Sequence, residues 1–403
     1  MICIGTWAIH FLIVVNHFPY LYYSDSWTYY RSGRQLLIDP NRVYEEKNEF
    51  WLLNTYLPFF LMLWAISLSL LPYSISYFIW YSLNYIFAVL FVLEFNKILK
   101  LLGVKEKIHR FLFLMVISNG FLIYFQFLTN QSKFLAGTIL LFILRREIQY
   151  KKEEKEKDIK YKFITYFLFG LIVSMIPYFI FLLLIFIFHD ITLGELLKKE
   201  NLETYGLVAI ILLAQNFLFF IYPELIFDYY KVFRFFQWVQ LNSVCYYLIF
   251  IDEIFIIPRL AKYLVNLILM IFMYEIIGFL IITKKLKIHE KFSYFAIAFI
   301  FLNHLAYKTI IILLPLTVLF FIPFFYQDII GRDFIKKNKY VLIGLISILG
   351  IYLTFDTRIE LLNPNYPNLF GGGIGYLIFT VLLGICLLKL HFDKDYYIVE
   401  TKS

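Results

Sequence analysis

Stretches of about 20 predominantly apolar residues recur along this chain, and no other feature limits its fold as tightly. Residues 73–95, 205–222, 260–283 and 371–390 each carry roughly the 17 to 25 apolar residues with which a helix crosses the hydrocarbon of a bilayer. In that medium every backbone N–H and C=O must find its partner inside the structure, so only helices and closed barrels span it. Strand-like alternation is absent, which sets the barrel aside. Apolar residues make up 61% of the chain and charged residues 16%, too few polar groups to cover a water-soluble surface. The expected class is all-α: one polytopic integral membrane domain over residues 1–403.

The formal charge of +8 could point to nucleic acid, but the basic residues fall in short loops between apolar runs. That is the pattern that orients helices in a membrane. Residues 96–110 hold five Lys or Arg and residues 145–162 hold eight. Both are expected in the cytoplasm, with 284–291 and 327–339. The loop 21–58 is balanced in charge and is expected on the opposite face. Two cytoplasmic loops need an even number of crossings between them, so several long runs must be hairpins. Breaks are expected at 126–133, near Pro177, and at Asn303-His304. Counting 51–72 as a crossing would invert the charge rule; a juxtamembrane or re-entrant helix is expected there instead. The count is about twelve crossings with both termini inside and outer loops at 21–58, 223–259 and 357–370. Cys3, Cys245 and Cys386 have no metal or redox spacing. No cleavable signal pattern is present.

Polar residues that persist in such a chain fall mostly on the outer side. Asp25, Arg31 and Arg34 come from the first loop, and Asn130, Gln131 and Lys133 from the second break. Arg234 belongs to the third outer region, and Asn303, His304 and Lys308 to the fourth. Ionisable groups at membrane depth are costly and mark a functional cavity. A wall of carboxylate, amides, cations and aromatics suits sugar hydroxyls and an anionic phosphate. Plainer readings stand beside these. Asp25 can be a helix N-cap, Arg31 and Arg34 can be headgroup anchors, and Arg234 can anchor an interfacial helix. His10 and His17, on one helical face, read as packed side chains rather than metal ligands.

The order Asp25, Tyr29, Tyr30, then Asp39-Pro40-Asn41-Arg42-Val43-Tyr44, then Thr55-Tyr56-Leu57-Pro58-Phe59-Phe60 resembles glycosyltransferase family 87. These are polyprenyl-phosphate-mannose-dependent mannosyltransferases of the GT-C fold. The resemblance covers roughly residues 20 to 320. The family's usual Gly is missing before Pro40-Asn41, and a single Pro stands at Leu57-Pro58. The resemblance implies an inverting sugar transfer, with mannose as the implied sugar, from a polyprenyl-phosphate donor to an extracytoplasmic glycan or glycolipid. Asp25 would be the base that takes the acceptor's proton. Arg234, Lys133 and Lys308 are the candidates for holding the donor phosphate. Tyr29, Tyr30, Arg31, Arg34, Asn130, Gln131, Asn303 and His304 are the candidates for the substrate wall. No nucleotide or redox cofactor is required by so good a leaving group; a divalent metal stays open but unsupported, since the acidic companions of Asp25 are scattered. Two other readings fit such a chain: a surface-polysaccharide polymerase or ligase, and a lipid-linked-sugar transporter without covalent chemistry. A transporter should show symmetry between its halves, and none is visible.

Overall fold

A computed structural model of the protein describes residues 25–44, 56–104, 130–232, 259–284, 286–302, 306–320 and 322. Among the described residues the structure is all-helical, without a strand. Its helices are α1 (Asp25–Ile38), α2 (Pro58–Ala65), α3 (Tyr73–Leu101), α4 (Lys133–Lys152), α5 (Ile159–Met175), α6 (Ile180–Phe188), α7 (Lys199–Gln215), α8 (Arg259–Ile282), α9 (Ile288–Leu302) and α10 (Ala306–Phe320).

Local chemistry accounts for the ends of these helices. Helix α3 begins after Pro72, which cannot continue a preceding helix. It ends where Gly103 takes φ +68°. There the amides of Gly103 and Val104 fold back to the carbonyls of Lys100 and Leu99, a Schellman closure that favours glycine. The Asp158 carboxylate accepts from the Tyr161 amide at 2.7 Å and caps α5. At 29 residues, α3 is long and apolar enough to cross a membrane. The run at 260–283 forms the 24-residue helix α8. The one at 205–222 is interrupted: α7 runs from Lys199 to Gln215 and stops at Asn216. The Asn216 side chain donates to the Leu212 carbonyl at 2.9 Å, offering the backbone an alternative to further helix. The run 371–390 lies outside the described residues.

Cross-helix contacts give the bundle two ends. Helices α3 and α4 run parallel. Trp80 and Asn84 of α3 meet Asn130 just before α4, Phe87 takes the Thr138 hydroxyl, and Glu94 pairs with Arg145. At the Glu94 end, Tyr161 at the start of α5 and His189 just after α6 both reach Glu147 of α4. Helices α5 and α6 therefore form a hairpin that turns at Pro177, where the sequence breaks. At the other end Ser174, late in α5, accepts from the Leu57 amide at 2.9 Å. Helix α7 lies parallel to α5, with Lys162 on Thr204 and Gln215 on the Phe167 carbonyl. Lys291 reaches the His189 carbonyl and Phe299 packs on Phe179, so α9 runs back toward the Asp25 end.

Residues 56–72 enter and leave at that same end. Helix α2 starts beside Ser174, and the chain returns through Ser69, which donates to the Tyr30 carbonyl at 3.1 Å. Tyr73 then stands 3.2 Å from Ser26. Gly33 permits α1 to lie on this segment, because a Cβ there would meet the Ala65 amide at 3.0 Å and overlap the Ser69 hydroxyl.

Candidate functional site

Helix α1 carries the residues singled out in the first loop and opens at Asp25, its only first-turn acid. A carboxylate in a first turn is favoured by the helix dipole. One turn on, Tyr29 is fully buried, its ring set against Tyr56, Phe60, Trp64 and Trp80 at 4.7 to 6.3 Å. Its hydroxyl lies 2.9 Å from that of Tyr56 and accepts the Ser132 amide at 3.3 Å. Burial raises the pKa of both phenols, and the Asp25 carboxylate adds to the effect on each. Asp25, Tyr29 and Tyr56 thus share one electrostatic environment in which the phenols stay protonated donors.

The second break comes to the same place. Asn130 adopts φ +50°, a left-handed conformation that asparagine tolerates better than most residues. Its side-chain amide donates to the Ser26 hydroxyl at 3.3 Å, and its Oδ1 accepts from Asn84 at 2.8 Å. Trp80 donates to its carbonyl at 3.0 Å. Asn130, Gln131, Ser132 and Lys133 are all buried. Lys133 opens α4, so the first amides of a 20-residue helix face this junction. Among the described residues, Asn84 Oδ1 and Gln131 Oε1 here are buried without a hydrogen-bond partner. Buried polar atoms are usually satisfied, so these two stand out at the junction.

The candidate residues divide accordingly. Asp25, Tyr29, Asn130, Gln131 and Lys133 are brought together, although about 100 residues separate the two segments. Tyr30 backs the junction, its hydroxyl donating to the Leu71 carbonyl at 2.9 Å. Arg31 stacks on Trp27 with its guanidinium 6.0 Å from the ring centre. Arg34 is exposed and donates to the Tyr30 hydroxyl at 3.3 Å. These contacts suit anchoring as well as binding. Lys308 lies in the first turn of α10, and its side chain is outside the described residues, as are Arg234, Asn303 and His304. Sequence reasoning missed Ser26, Trp80, Asn84 and Ser132, which complete the junction. Asn84 had a signal: it is a lone amide in an otherwise apolar stretch of α3.

Searched against protein-family models, curated proteins and solved structures, the chain matches none.

Proposed function

We propose that this protein is a multi-pass membrane glycosyltransferase that moves a sugar, mannose in the first instance, from a polyprenyl-phosphate donor to an extracytoplasmic glycan or glycolipid. The observation that carries the reading is the join of the Asp25 end of α1 to the Asn130–Lys133 entry of α4. That join sets a carboxylate, two phenols and buried amide oxygens beside the N-terminus of a long helix.

In this reading Asp25 orients the acceptor hydroxyl and takes its proton as oxygen attacks the anomeric carbon, with inversion. The bond from that carbon to the phosphate oxygen breaks, and the leaving phosphate keeps the electron pair. Lys133 and the first amides of α4 offset its charge, with Arg234 and Lys308 as the other candidate cations. Asn130 and Gln131 contact sugar hydroxyls.

A membrane setting is supported by the outward faces of the helices. Ile75, Phe78, Ile86, Leu90 and Leu93 of α3 and Leu264, Leu267, Ile268, Ile271 and Phe272 of α8 are all exposed. Apolar stripes of that length on a soluble monomer are rare. In this reading the chain crosses the membrane about twelve times, with the basic loops in the cytoplasm and Asp25 on the far side.

The test is sugar transfer by purified protein in nanodiscs from polyprenyl-phosphate-mannose and polyprenyl-phosphate-glucose to a membrane glycolipid extract. Wild type should transfer and a folded Asp25→Asn variant should not. Transfer from neither donor by folded wild type would overturn the proposal and favour the polymerase or transporter reading.

A further inference from the structure

At the opposite end of α4, about 21 Å along the helix from Lys133, three side chains converge that the sugar-transfer reading does not use. Glu147 is fully buried and His189 is 6% exposed, while Asp190 is open to solvent. His189 Nε2 lies 3.3 Å from Glu147 Oε1 and 2.7 Å from Asp190 Oδ2, and one ligand atom from each residue falls within 4.8 Å of the others.

Each of the three is held from behind by its other polar atom. Tyr161 donates its hydroxyl to Glu147 Oε2 at 2.8 Å. His189 Nδ1 donates to the Phe186 carbonyl at 2.7 Å, since a carbonyl can only accept. Asp190 Oδ1 takes the Lys151 ammonium at 3.0 Å. Outer partners of this kind orient metal-ligating histidines and carboxylates and set the tautomer. With Nδ1–H committed to the carbonyl, the ring turns Nε2 toward two carboxylate oxygens, which the imidazolium form answers with a second N–H and the neutral form with a lone pair open to a metal ion. Nε2 is buried and makes no aligned hydrogen bond. The two oxygens sit near it without lying along an N–H direction.

We propose that Glu147 Oε1, His189 Nε2 and Asp190 Oδ2 form a site for a divalent transition ion of the zinc type, which ties the end of α4 to the chain leaving α6. One nitrogen and two carboxylate oxygens match the ligands such ions take. Metal–ligand bonds of about 2.0 to 2.2 Å in a tetrahedron place ligand atoms about 3.3 to 3.6 Å apart; the His189–Glu147 separation of 3.3 Å already matches, and the His189–Asp190 separation of 2.7 Å has to open by about 0.7 Å. Four lysines lie nearby. Lys284 and Lys291 donate to the carbonyls of Phe188 and His189, and Lys151 is committed to the outer oxygen of Asp190. Among the described residues Lys157 alone reaches the converging atoms, at 2.5 Å from Glu147 Oε1 and 3.8 Å from Asp190 Oδ2. It comes from a solvated turn, so an arriving ion displaces its ammonium into water.

The experiment is zinc titration by calorimetry, with visible absorption of the cobalt-substituted form, on full-length protein in detergent. Wild type should bind one ion per chain and its Tm should rise with zinc. Lys157→Met should bind at least tenfold more tightly, because the competing ammonium is gone. His189→Ala and Asp190→Asn should lose the bound ion and the Tm rise, and Glu195→Gln should behave as wild type. If the His189 variant does not fold, the gain in Lys157→Met decides the matter. Absence of binding in both wild type and Lys157→Met would overturn the proposal, as would zinc binding in folded His189→Ala equal to wild type.

Discussion

Replacing Asn130 probes the junction between α1, α3 and α4 directly. In Asn130→Ala two side-chain hydrogen bonds are lost, to Ser26 and from Asn84. Each contributes about 1 kcal/mol net. Asn84 is 1% exposed, and losing its acceptor leaves a buried amide donor with no partner, costing about 1 to 3 kcal/mol in place of the smaller net figure. Alanine must also hold φ near +50°, which adds about 1 kcal/mol. The expected loss is about 3 to 5 kcal/mol. Asn130→Gly removes the same hydrogen bonds but relieves the backbone and should be about 1 kcal/mol less damaging. Asn130→Asp keeps the acceptor for Asn84 and should be milder than alanine. The assay is denaturant unfolding in micelles followed by tryptophan fluorescence, since Trp80 donates to the Asn130 carbonyl and reports on the site. Equal losses for alanine and glycine would refute the backbone argument. An alanine variant within about 0.5 kcal/mol of wild type, the range of ordinary surface substitutions, would refute the junction itself.

Other perturbations follow from the same geometry. Arg145 neutralises Glu94, whose side chain is 8% exposed on α3. Lys97 keeps a second pair with Glu94 at 2.8 Å, so Arg145→Met should cost about 1 to 2 kcal/mol, and the double change with Glu94→Gln should recover part of it, as a double-mutant cycle in the same unfolding assay would reveal. His289, at the start of α9, has its pKa pushed down from 6.5 to about 4 by burial and by Lys287. The unfolded chain therefore binds this proton more readily. Stability should be full above pH 6.5 and fall as pH drops toward 4. The gap caps the loss at about 3 kcal/mol, and partial solvent screening brings it nearer 1 to 2. His289→Gln should flatten the fall in Tm between pH 7 and 5, and an unchanged slope would assign that fall to other groups.

What could be read from the chain alone was local. The helical class follows from long apolar runs, since a backbone without water must satisfy itself. Several breaks were visible for the same reason: Pro177 has no amide to donate, and the polar stretch around Asn130 cannot sit in a continuous apolar helix. A juxtamembrane or re-entrant helix at 51–72 was expected from counting charges across loops; residues 51–55 lie outside the described residues, and of the rest Leu57 and Ser69 both lie at the Asp25 end of the bundle. The interruption at Asn216 was not read, because one amide in an apolar run is compatible with an unbroken helix until its side chain turns back on the backbone.

Only tertiary structure decided which of these local pieces meet. Asp25, Asn84 and Asn130 belong to three helical segments, and their meeting depends on α3 and α4 lying parallel, which no periodicity in either helix encodes. Tyr29 was singled out as a candidate for the substrate wall, but that its ring is enclosed by Tyr56, Phe60, Trp64 and Trp80 is decided by packing. Glu147 and His189 show the same limit. One lies in a charged stretch whose sequence reads as solvated, the other at the end of an apolar hairpin, and nothing short of folding that hairpin back at Pro177 sets them 3.3 Å apart. Helix ends and breaks are settled by backbone chemistry within a few residues, whereas a site assembled from distant helices exists only once their faces have been chosen by packing.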